Sequence, residues 1–225
     1  MGQALGTVLP LAVGIAIFPV PIVAVVLVLR SEKGRVKALA FVLAWCVGLA
    51  AVGGGVLLLA DGVDASESGE PATWVSALLL ALGVLLLAAA VKQWRRRPRA
   101  GEAAHVPGWM DTVDQFTVAR AGAIGFALSA LNPKNVLLSV AAAAEIAAFG
   151  LDPSQQIATL AVFVALASAG VVAPLLLSLA LGERSRGLLD ALRDWMAANN
   201  AVIMVVLFLL IGAKLIGDAV TGFTG

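Results

Sequence analysis

The sequence predicts an all-α integral membrane protein of six transmembrane helices. They are arranged as two inverted three-helix repeats, with proline-broken helices one and four. Three observations carry that expectation: the apolar content, the sorting of charge between loops, and prolines at matching places in two overlong spans. Of 225 residues, 61% are hydrophobic and 13% charged, against about 45–50% and 25% in a soluble domain. Mean hydropathy is +1.00. A crossing helix needs about 20 apolar residues, so six crossings with short loops consume the chain.

Apolar runs place spans at 4–29, 38–60, 73–92, 121–149, 155–181 and 199–220. They are apolar on every face and rich in Ala, Leu, Val and Gly, as lipid-packed helices are, and lack the short alternation of barrel strands. The chain reads as a single membrane domain over 1–225: a first repeat at 1–92, a basic loop at 93–120 and a second repeat at 121–225. The first segment has no basic leader and reads as a span, not a cleaved signal. Gly6 stands where a myristoylation motif needs Ser or Thr.

Charge orients the spans. Of fifteen basic residues, all but Lys134 and Lys214 fall in loops one, three and five or at their edges. Loop two carries only acids (Asp61, Asp64, Glu67 and Glu70) and loop four only Asp152. Basic loops stay cytoplasmic, so both termini are expected outside the cytoplasmic membrane. Lys92-Gln93-Trp94-Arg95-Arg96-Arg97-Pro98-Arg99 reads as a topology anchor among membrane lipids, with anionic-lipid binding as its functional alternative. Trp45 and Cys46 read as packing residues, and Trp74 and Trp195 as interfacial anchors.

The same composition excludes much. No room remains for a soluble catalytic or nucleotide-binding domain. One cysteine, Cys46, forms no internal disulfide, and one histidine, His105, builds no multi-His site. No metal, cofactor, catalytic residue or enzyme activity is expected. The net charge of +1 points to no nucleic-acid partner.

Spans one and four are each too long for a straight crossing. One carries Phe18-Pro19-Val20-Pro21 and the other Asn132-Pro133-Lys134-Asn135. Proline removes a backbone donor, and in lipid a broken helix survives where it is buried or faces water. Three spans, an odd number, precede the second break-bearing span, so a three-span repeat returns upside down. Matching breaks in inverted halves point to a transporter's binding site. Pro19, Pro21, Asn132, Pro133, Lys134 and Asn135 are therefore the substrate-site candidates.

Lys134 is placed near the middle of span four, where a charge costs about 2.5–3.5 kcal/mol on insertion scales. Its functional reading is an anion-binding cation; its structural reading is that it and the asparagines satisfy carbonyls freed by Pro133. Glu145 lies about 16 Å further along, too far for a direct pair. It falls at the depth of Lys214, which predicts a Glu145 to Lys214 ion pair, with Asp218 as the competing i+4 partner. The three are expected to form a structural ion pair or an ion-coupling group. Ser129 and Ser139 are expected to bond their own backbone.

Four motifs in order then resemble a known family: Pro19-Val20-Pro21, Leu131-Asn132-Pro133-Lys134-Asn135, Lys92-Gln93-Trp94-Arg95 and Gly212-Ala213-Lys214-Leu215-Ile216-Gly217-Asp218. The chain resembles the GAP family of actinobacteria, named for addressing glycopeptidolipid and sulfolipid-1 and placed near the lysine-exporter superfamily. The resemblance implies an exporter in the bacterial cytoplasmic membrane. Its substrate would be a cell-envelope glycolipid, a lipid-linked precursor or a small polar or anionic solute. It leaves two alternatives: an accessory protein docked on a lipid exporter or biosynthetic enzyme, or a small amino-acid-type exporter. The Gly-rich helices are compatible with a homodimer.

Overall fold

The computed structural model describes residues 1–62, 73–95, 97 and 115–224. Among them the chain is helical, in nine α-helices. These are α1 (Gly2–Ala16), α2 (Pro19–Arg30), α3 (Gly34–Gly62), α4 (Thr73–Arg95), α5 (Val118–Ala130), α6 (Pro133–Ala148), α7 (Pro153–Ala167), α8 (Ala169–Leu181) and α9 (Arg186–Thr224). A 3-10 turn, Gly182–Ser185, joins the last two. Most of loops two and three, with Asp64, Glu67, Glu70, Arg96, Arg99 and His105, lies outside the described residues.

Both predicted breaks are present, and they share one construction. Phe18 is extended (φ −63°, ψ 120°) and Pro19 opens α2; Asn132 is extended (φ −74°, ψ 117°) and Pro133 opens α6. A proline forces the residue before it out of the helical region, while its own fixed φ suits a helix's first position. Each proline therefore starts a helix. The two halves of each pair bend by 51° and 58°.

By length and composition three helical stretches suffice to cross a membrane, and five if each bent pair is one span. The chain is thus a multi-pass membrane protein. Predicted span five divides into α7 and α8 at Ser168, whose hydroxyl lies 3.3 Å from Cys46 Sγ. Predicted span six begins earlier than the apolar run, because α9 starts at Arg186 with an amphipathic stretch.

Small residues set the helix spacing. Apolar side chains gain little by leaving lipid, so association depends on close contact. A Cβ on Gly83 of α4 would lie 2.9 Å from the Gly212 carbonyl of α9. One on Gly170 of α8 would overlap the Ala16 carbonyl at the end of α1, just before the first break. Backbone opposes backbone there, and neither yields easily. Gly170→Ala is expected to cost about 1–3 kcal/mol, read as a lower unfolding temperature in detergent. Gly54→Ala on α3, where nothing lies within 4 Å, is the matched control and should leave it unchanged. The core is Phe41, Trp45, Leu49, Leu138, Phe163, Met204 and Phe208 with small residues between them. Trp45 stacks on Phe41 at 6.3 Å, the packing role expected of it.

Candidate functional site

The second break is held by its own asparagines. Asn132 Oδ1 accepts the Lys134 amide at 3.2 Å, capping α6. Asn135 Nδ2 donates to the Leu128 carbonyl at 2.8 Å, across the break into the last turn of α5. These bonds occupy backbone groups that a continuous helix would have paired. Asn132→Ala is expected to lose about 0.5–2 kcal/mol and Asn132→Ser to retain most of it, as thermal unfolding would show.

The Lys134 side chain takes no part in that repair. Its Nζ lies 5.4 Å from the centroid of the Phe208 ring on α9, a cation–π distance. It opens into a cleft of about 290 Å³ between α4, α6 and α9. Lys92 and Gln93, from the last turns of α4, supply the other polar groups; Leu86, Leu137 and Phe208 supply apolar wall. Lys134 therefore connects along the cleft to the basic end of α4. The expectation of a mid-span lysine did not show that connection.

Phe208 also meets the first break. Its ring packs edge-on against Phe18, centroids 6.5 Å apart. One residue of α9 thus touches both broken helices. Pro19 and Pro21 are buried in α2, away from the cleft lining, whereas Pro133 lines it. Of the six candidates, Pro133 and Lys134 face the cleft, Asn132 and Asn135 build the break, and the first-half prolines shape α2. Lys92 and Gln93 are not among the site residues expected from the sequence, although their charge and polarity at a helix end are visible there. Phe208 carried no signal, being one apolar residue in an apolar run.

The ion-coupling candidates come together at the far end of α6. Glu145 Oε1 lies 2.8 Å from Lys214 Nζ, and Asp218 Oδ2 lies 2.5 Å from the same amine. The predicted pair and its competitor are both formed, as one Glu–Lys–Asp group. Glu145 is only 5% exposed. Ser129 Oγ bonds the Phe126 carbonyl at 2.9 Å as expected. Ser139 Oγ is buried with no hydrogen-bond partner, so the same expectation fails for it.

Loops one and five meet at one end. Arg30, the last residue of α2, pairs with Asp190 of α9 at 2.8 Å. Arg35, at the start of α3, donates to the Ser178 carbonyl of α8 at 2.9 Å.

Searches among curated proteins and among solved structures return no match. A family model described as Sap, sulfolipid-1-addressing protein, matches residues 8–221. The match takes in both breaks, the cleft and the Glu145–Lys214–Asp218 group, and the chain belongs to that family.

Proposed function

We propose that this chain is a secondary-transporter-like exporter that moves an anionic envelope glycolipid, or its lipid-linked precursor, out across the cytoplasmic membrane. The carrying observation is the convergence of both proline breaks on Phe208, beside a cleft that holds Lys134, Lys92 and Gln93. Broken helices concentrate free backbone groups where a substrate binds. The family's name, sulfolipid-1-addressing protein, agrees with a sulfated or otherwise anionic lipid.

The cleft walls favour a lipid over a small solute. Apolar side chains border the two amines, as suits a head group that remains attached to its chain. About 290 Å³ accommodates part of a head group, not a whole glycolipid. The chemistry offered is charge pairing and apolar contact, hence transport and not catalysis.

Six crossings complete the reading: α1–α2, α3, α4, α5–α6, α7–α8 and α9. Contacts between helices come in exchange-related couples, α1 on α7 with α5 on α3, and α2 on α9 with α6 on α4. An inverted repeat would generate such couples. The end that gathers Arg30, Arg35 and Arg186 is then cytoplasmic, and both termini lie outside.

The test is reconstitution of the purified protein in liposomes with a fluorescent sulfated glycolipid in one leaflet. Protein-dependent movement to the other leaflet supports the reading. Movement that starts only when a partner protein is added would assign the accessory role instead. A folded protein that moves no lipid under either condition would overturn it.

A further inference from the structure

A second cavity is larger than the cleft at the break. It measures about 420 Å³ and lies at the end where loops one and five meet. Loop one and the start of α3 form one wall, with Arg30, Lys33, Gly34 and Arg35. The end of α8 and the start of α9 form the other, with Ser178, Glu183, Arg186 and Asp190. Both predicted repeats therefore contribute.

Its charge is unbalanced. Asp190 pairs with Arg30 and Glu183 with Arg186, each at 2.8 Å. Among the described residues, Lys33 and Arg35 have no acidic partner in the cavity. Arg35 is already held in place by its bond to the Ser178 carbonyl, so part of its ordering cost is met before any ligand arrives. The first residues of α3 and of α9 line the same space, and the positive ends of two helix dipoles add to the side-chain charge. The backbone there is fixed as well. Lys33 sits at φ 55°, and a Cβ at Gly34 would overlap the Leu29 carbonyl.

We infer that this cavity binds a phosphate monoester or diester, with Lys33 and Arg35 as its ligands and Arg30 and Arg186 as the surrounding field. Guanidinium and ammonium groups together satisfy a phosphate's several acceptor oxygens. The volume takes a phosphate and a small polar substituent, such as the glycerol phosphate of an anionic lipid. The same chemistry serves the head group of a lipid in the inner leaflet or a free phosphate ester, and the experiment separates them. The inference does not depend on Lys134 or on export.

The full chain is placed in nanodiscs of zwitterionic lipid and titrated calorimetrically with glycerol phosphate. In a second arm, nanodiscs containing phosphatidylglycerol are used, and retained anionic lipid is counted by native mass spectrometry. Saturable binding in the first arm assigns a site open to a soluble ester; retention in the second arm alone assigns a lipid head group. In either case Lys33→Asn is expected to weaken binding about tenfold, the worth of one charge-assisted contact. Asn tolerates the left-handed backbone at this position, so this variant keeps the fold. Arg35→Gln should weaken binding further, at some cost to the bond with Ser178. No binding in either arm, or binding that Lys33→Asn does not alter, overturns the inference.

Discussion

Lys214→Met is expected to destabilise the protein by about 3–5 kcal/mol, the cost of leaving a buried charge without its partner. Methionine nearly matches the lysine stem in length and packing, so the loss isolates the charge. What remains is Glu145, 5% exposed on a helix whose neighbouring positions are alanine, with Asp218 now facing the same space uncompensated. The measurement is thermal unfolding in detergent. The second half of the prediction is the rescue. Combining Lys214→Met with Glu145→Gln removes both charges from the buried pair, and most of the lost stability should return. Buried pairs are often dispensable together although not singly. A single variant that unfolds like the parent would show that the Glu145 to Lys214 contact contributes nothing.

Lys134→Ala is expected to lower lipid movement at least tenfold per folded molecule while leaving stability equal or higher. The opposite signs follow from the geometry. The amine forms no ion pair among the described residues and stands over the Phe208 ring, while Asn132 and Asn135 make the bonds that hold the break. Removing it relieves a cation held in an apolar wall, a cost of about 2.5–3.5 kcal/mol at a span's centre and less toward an end. A residue kept at a cost to stability is characteristic of a functional site. Lys134→Arg should preserve movement in good part, since the charge remains. The liposome assay reads activity and thermal unfolding reads stability. Full activity in Lys134→Ala would remove Lys134 from the site.

Legibility followed the chemistry of single residues. The two breaks could be read because each proline falls in the middle of a span too long for a straight crossing, and both were found with proline at the first helical position; Pro10 and Pro174, by contrast, lie within α1 and α8. The Glu145, Lys214 and Asp218 group could be read because charges are few in an apolar chain and depth follows from counting residues. The division of span five at Ser168 could not: the sequence there has neither proline nor a charge. The early start of α9 at Arg186 was hidden for another reason. Its first turns are polar enough to resemble a loop when hydropathy alone is counted.

By itself the sequence determined that this is a membrane protein, where its two proline breaks fall and which ionisable residues lie within its helices. Tertiary structure alone decided what the breaks face. Phe208 joins them, and Lys92 and Gln93 share a cleft with Lys134, because of how α4, α6 and α9 are rotated against one another. A helix that is apolar on every side has no periodicity from which to read that rotation. Small-residue contacts set it instead, Gly83 against Gly212 and Gly170 against Ala16, and their specificity lies in shape, which exists only once the helices meet.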